Sequence, residues 1–370
     1  MKPEEGIRFL RQFQELLAEG GFVATYKFAL LQALADLSVE QPTAVDGSLR
    51  LHLEQLADKF VEYYWNQARP FRSGVLRQNT KGQAEVVSLV SEYRQLSDGR
   101  LGKLRSRNRE WQRLRKRVAA VIVKMPLWKL QNIGNQTNEF LYRRSDYRNR
   151  TILLLPGVPQ AFRAFHPLLT SMIRGGWIAQ IHRIKGNQDL LGPGAELATF
   201  LFGTDRQSLE RYRELLQDHQ AGECFYCGKK VAGAGDLDHF IPWSRYPLDL
   251  GHNFVFAHKA CNNAKRDHLA APLHIERWRV QNLDEGHRLG ERFSEAGLLH
   301  ELERSELIAR WAYQQGQASR AQLWVRQGEF EPCDYRWAAA LGVAGGLRLA
   351  ATNPGPSYER IAEHPTQSDR

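Results

Sequence analysis

Apolar residues recur at three- and four-residue steps through the first hundred positions. Ile7, Leu10, Phe13 and Leu17 make one stripe. Tyr26, Leu30, Ala33 and Leu37 make a second, and Leu49, Leu53, Leu56, Phe60 and Tyr64 a third. That spacing puts each set on one face of an amphipathic helix, so the stripes read as core faces, with Tyr63, Tyr64 and Trp65 packed among them. A further helix is predicted from Lys103 through Ile122, ending at the Met125–Pro126 step, because proline pushes the preceding residue out of the helical region. Thr151 to Leu155 reads as a short strand stopped by Pro156–Gly157. Helical spacing returns at 160–174, 194–202 and 205–219, the last with Thr204 or Asp205 as N-cap, and again over 273–315.

The pattern predicts an α+β chain, mostly helical, in four parts. Residues 1–203 form a mostly helical N-terminal domain and 204–272 a smaller module. Residues 273–352 form a C-terminal helical region, and 353–370 a loose tail opened by Pro354, Gly355 and Pro356.

Charge sharpens this picture. The chain of 370 residues carries 51 Lys and Arg against 41 Asp and Glu, a formal excess of +10. The excess is local: residues 101–150 hold fourteen Lys and Arg and only Glu110, Glu139 and Asp146 as acids. So one-signed a stretch favours a polyanionic partner, with Arg113, Lys116 and Arg117 as candidate phosphate contacts; a merely solvated face is the competing reading. The N-terminus is too polar for a signal peptide and no apolar run reaches membrane-spanning length. A cytoplasmic protein without membrane contact is expected.

Four cysteines in a chain this long do not make a disulfide framework. Cys333 stands alone and reads as a packed thiol. Cys224 and Cys227 form a C-x₂-C pair, and His258 with Cys261 an H-x₂-C pair. Each two-residue gap lets a tight turn aim both side chains at one point, and two such pairs supply the four ligands of a tetrahedral structural Zn²⁺. Between them, Asp238–His239 leaves a Gly-rich turn and runs into Phe240–Ile241–Pro242, a short strand ended by proline. Asn253 opens a second apolar run, Phe254–Val255–Phe256, and Cys261 to Arg266 reads as a helix start.

This segment, with C-x₂-C, D-H-x-x-P, a central Asn, a second ligand pair, C-N and a downstream Lys, resembles the HNH endonucleases in their zinc-bearing, ββα-metal form. It departs from the family at His258, where cysteine is commoner, and imidazole is an equally competent zinc ligand. The resemblance covers residues 224–266 only. It implies phosphodiester hydrolysis with His239 as general base. Asp238 and Asn262 would hold a catalytic Mg²⁺ or Mn²⁺ by hard oxygen donors, and Asn253 would brace the His239 strand. Lys265 and Arg266, one turn on, would clamp phosphate or stand as solvated charges. Because neighbours on a regular strand face opposite ways, Asp238 and His239 share a site only if the strand bends or the ion and base flank the phosphate from two sides.

His252 falls outside the register, His268 and His274 read as surface or packing residues, and Trp243 could stack on a base or cover the hairpin, cover being the favoured reading. The implied partner is DNA, double-stranded first, with a protein partner or dimer through residues 1–203. A setting in phage defence or restriction follows from joining a nuclease to a large unassigned domain. A zinc-stabilised nucleic-acid-binding module without cleavage and an RNA-directed nuclease are the alternatives.

Overall fold

Residues from Phe9 to Leu201 feed one continuous apolar cluster that takes in the second and third stripes, whereas the first helix turns Phe9, Phe13 and Leu16 inward and leaves Ile7 of the first stripe exposed. In the computed structural model, which describes residues 1–191, 197–203, 206–284 and 286–343, the helices around this cluster are α1 (Pro3–Glu19), α2 (Tyr26–Glu40), α3 (Leu53–Gln67), α4 (Glu85–Leu96), α5 (Leu101–Ser106), α6 (Asn108–Lys124), the short α7 (Pro126–Lys129), α8 (Val158–Arg183) and α9 (Leu197–Phe202). Helix α2 is buried on every side, which its run Phe28–Ala29–Leu30–Leu31 permits, and it packs along α8 and α3. Tyr64 and Trp65 lie inside this core.

Two elements differ from the sequence reading. Leu49 does not begin a helix: β1 (Leu49–His52) pairs antiparallel with β4 (Thr151–Leu154), and α3 starts at Leu53. Leu49 and Leu51 alternate with exposed Arg50 and His52, a period of two hidden inside a longer helical spacing. The basic helix is also broken. Arg107, with ψ of 78°, separates α5 from α6. A two-residue hairpin pair, β2 (Asn132–Ile133) and β3 (Gln136–Thr137), completes this part.

The second half runs α10 (Arg206–His219), β5 (Asp236–His239), β6 (Phe254–Ala257), α11 (Lys259–Lys265), α12 (Pro272–Arg279), a π turn over Val280–Asp284, α13 (Gly286–Glu295), α14 (Leu302–Ala318), β7 (Gln322–Arg326), β8 (Glu329–Pro332) and α15 (Arg336–Ala340). The β7–β8 hairpin was not foreseen. Phe240, Val255 and Ala257 share a core with Trp278, Tyr313 and Trp337, so the hairpin and the helices after it are packed as one body. The N-cap candidates Thr204 and Asp205 and the tail 353–370 lie outside the described residues.

A buried polar network ties the halves together. Lys59 sits 2.5 Å from Glu40, and Arg304 of α14 donates to Glu40 (2.7 Å) and to both Glu62 oxygens (2.8 and 3.0 Å). Tyr246 donates to Glu40 as well, and Arg105 reaches Glu62 at 2.5 Å. These cations hold the Glu62 carboxyl well below its usual range against the burial that would raise it.

The same packing uses up much of the basic excess. Arg105 meets Glu62 and Glu301, Arg115 takes Asp58 with two bonds of 2.5 and 2.8 Å, Arg117 meets Glu92 and Arg150 meets Glu54. Of the expected phosphate contacts here, Arg117 is therefore paired. Arg113 and Lys116 are exposed and without an ion pair among the described residues. No helix among those residues is long and apolar enough to cross a membrane.

Candidate active site

The C-x₂-C pair closes in a tight knuckle. Gly228 N–H donates to Cys224 O at 2.9 Å, and Gly228 itself has φ of +69°, a backbone region that favours glycine. His258, at the end of β6, donates its own backbone N–H to Cys224 Sγ at 3.3 Å. Helix α11 then starts and turns Cys261 back toward the pair. The donor atoms of Cys224, Cys227, His258 and Cys261 all lie within 4.8 Å of one another, with Cys227 Sγ 3.3 Å from His258 Nδ1.

Four ligands at Zn–S and Zn–N lengths stand roughly 3.5–3.8 Å apart, so three thiols and an imidazole at these separations fit a tetrahedral zinc. The far ring nitrogen of His258 lies 3.1 Å from Lys230 O, the outer contact that fixes the tautomer of a metal-binding histidine. Burial and the adjacent Cys224 and Cys227 sulfurs push the Cys261 thiol up to about 12.

β5 and β6 pair with Asp238 opposite Val255 and His239 opposite Phe254. Paired residues share a face, so the apolar pattern of β6 decides where the two polar side chains go. Phe254 and Phe256 pack against Tyr212, Leu216, Leu289 and Phe293, while Val255 and Ala257 face the larger core. Asp238 follows Val255 inward and is 7% exposed. Its Oδ2 accepts from Tyr226 Oη at 2.5 Å and from Lys265 Nζ at 3.1 Å. His239 follows Phe254, with ring centroids 4.6 Å apart, and its Nε2 bonds Asp249 Oδ1.

The two side chains leave the strand in opposite directions, yet both line one open cleft of about 510 Å³, together with Pro242, Trp243, Asn262, Asn263, Arg266 and Asp267. Asn262 Nδ2 donates to Asp236 Oδ2 at 3.3 Å, which leaves the amide oxygen as the available donor to an ion. Asp238, with its second oxygen, and Asn262 supply hard oxygens suited to Mg²⁺ or Mn²⁺.

Asn253 stands beneath the strand end. Its Oδ1 accepts from Ile241 N at 2.8 Å and its Nδ2 donates to Ile241 O at 3.0 Å, satisfying both backbone groups just past His239.

Lys265 differs from expectation. It is fully buried and donates to His239 O at 2.9 Å as well as to Asp238, so it is no surface clamp. Burial lowers its ammonium from the usual lysine range, and Asp238 opposes that fall. Arg266 is exposed at the cleft rim, where φ of 50° ends α11 in a conformation most side chains avoid.

Asp249, Tyr226 and Asp236 were missed by sequence reasoning. They lie ten or more residues from their partners or carry no motif signal; only the fold brings them in. His252, by contrast, is buried away from the cleft against Asn282, and His274 against Val325 O. Trp243, expected as cover, is 41% exposed.

No curated protein and no solved structure matches the chain. Two family models do: one described as a domain of unknown function (DUF8808) over residues 7–197, and one described as HNH endonuclease over residues 224–268. The cleft and the Cys₃His cluster fall inside the second match. The chain belongs to the DUF8808 family by its N-terminal half and carries an HNH endonuclease domain at residues 224–268.

Proposed function

We propose that this protein is a metal-dependent endonuclease that hydrolyses phosphodiester bonds of DNA, with β5, β6 and α11 forming a ββα-metal centre braced by a structural zinc. The observation that carries this reading is the cleft shared by Asp238, His239 and Asn262 beside the Cys₃His cluster. His239, held at Nε2 by Asp249, keeps Nδ1 to take a proton from the attacking water. Asp238 and Asn262 are the residues that would hold Mg²⁺ or Mn²⁺, which when bound offsets charge on the scissile phosphate and leaving oxygen. Asn253 and Lys265 keep the end of the His239 strand in place. Arg266 at the rim, and Arg113 and Lys116 farther along the chain, supply positive charge toward the phosphate backbone. A nuclease without evident sequence readout has to be restrained in its host, which is why phage defence or restriction is the setting we favour.

Supercoiled plasmid incubated with Mg²⁺, wild type against His239→Ala, tests the reading. Nicked or linear product from wild type alone, with gel shifts from both, supports it. If neither protein cuts and both shift DNA, the domain is a zinc-stabilised binding module. Labelled RNA run in parallel identifies an RNA-directed enzyme.

A further inference from the structure

A cavity of about 550 Å³ opens between the N-terminal helices and the hairpin. Its wall includes Trp65 of α3, Arg174 of α8, Arg211 of α10, and Trp243 and Asp249 from the loop after β5. Two of these connect the cavity to the nuclease cleft. Trp243 lines both spaces, and Asp249 holds His239.

The charge of the wall decides what it can take. Every carboxylate on it has a bonded partner, and the Asp36 charge also acts on Arg174. Asp36 is bonded to His166 (2.8 Å) and Tyr63 (2.6 Å), Glu62 to Arg304 and Lys59, Asp98 to Lys103 (2.5 Å), and Asp249 to His239. Of the five guanidiniums on the wall, Arg100 is paired with Asp98, while Arg174 and Arg211 are matched differently. Arg174 donates only to a neutral acceptor, Pro247 O at 3.2 Å, and lies 4.7 Å from the Phe202 ring and 5.6 Å from the Trp243 ring. Its Nε is buried with no hydrogen-bond partner, so any ligand in the space would meet the terminal nitrogens of the guanidinium. Arg211 has no ion pair among the described residues. Five guanidiniums against four carboxylates leave the space cationic on balance, rimmed by an indole, and of a size that holds a small ligand. A guanidinium fork selects phosphate, and an exposed indole stacks on a planar ring.

We propose that this cavity binds a nucleotide, its phosphate on Arg174 and Arg211 and its base against Trp243. The nucleotide is either free or one unit of a strand entering the neighbouring cleft. Binding here does not require that the cleft cut.

Isothermal titration of the zinc-loaded full chain, without Mg²⁺, against AMP and against a 5′-phosphorylated DNA tetranucleotide tests this. Saturable binding of AMP identifies a free nucleotide, and binding of the tetranucleotide alone identifies a strand. In either case Arg211→Gln, a half-buried site on α10, weakens binding about tenfold, the loss expected for one charge-assisted contact. Arg174→Lys, which keeps the charge and loses the fork, weakens it too, while exposed Arg8→Gln leaves it unchanged; thermal melts establish that each variant is folded. No binding of either probe, or equal binding by Arg211→Gln and Arg174→Lys, overturns the proposal. Plasmid cleavage by a wild type that binds neither probe sinks the cavity and spares the nuclease; binding without cleavage does the reverse.

Discussion

His239 and Asp249 are joined by a hydrogen bond from Nε2 to Oδ1, made across the loop that follows β5. Asp249 is 9% exposed, so the carboxylate that meets the imidazole is largely out of water. Such a partner fixes the ring's tautomer and rotation and leaves the other nitrogen to act as a base.

Asp249→Asn is expected to lower kcat on plasmid by roughly 10- to 100-fold, the usual effect of removing an outer partner of a site histidine. KM and zinc content stay as in wild type, and Asp249→Glu recovers part of the rate. His239→Ala loses more, on the order of 10²–10⁴. A full kcat in Asp249→Asn would show that this carboxylate only fills space.

Lys265 and Asp238 form a buried pair under the cleft floor. Removing one member strands the other, which costs roughly 3–5 kcal/mol. Urea melts should register that loss in Lys265→Met, with Asp238→Asn in the same background recovering much of it. Unchanged stability in the single variant would mean that water reaches the pair.

Zinc should be present at one per chain. Cys261→Ser removes it and lowers Tm, whereas Cys333→Ser, at a buried thiol outside the cluster, leaves the metal in place. Acidification releases the ion, because its ligands bind it deprotonated. Elemental analysis across a pH series, alongside melts, checks both points.

Acid sensitivity has a second source. Burial pushes His252 down to about 4, and His274 likewise to about 4. Between the ordinary histidine value and that level the unfolded chain binds a proton that the folded chain does not, so stability falls as pH drops from about 6.5 toward 4, by on the order of 3 kcal/mol per residue. Melts at pH 7 and 5 should differ, and His252→Gln should narrow the gap. A flat profile would contradict the burial of both rings.

The metal cluster and the strand–strand–helix order were legible because each rests on short spacing: two residues inside each ligand pair, and a proline to end the strand. Asn253 was legible for the same reason. Lys265 was not. A lysine at the end of a short helix looks like any exposed cation, and only the packing of α11 over β5 puts it inside. The basic stretch misled in the same way, since Glu62, Asp58 and Glu92, which neutralise Arg105, Arg115 and Arg117, come from helices that sequence distance hides. The β1 strand was lost inside a longer helical spacing, because four residues are too few to assert a period of two.

The knot of Glu40, Lys59, Glu62 and Arg304 has a bearing on how such a molecule can be controlled. Prising the halves apart would take Arg304 from both of its buried carboxylates and leave Glu40 and Glu62 with Lys59 and Arg105 alone. A shortened version lacking residues 1–191 would strand the buried Arg304 without Glu40 and Glu62, and so be a damaged protein rather than an unleashed one.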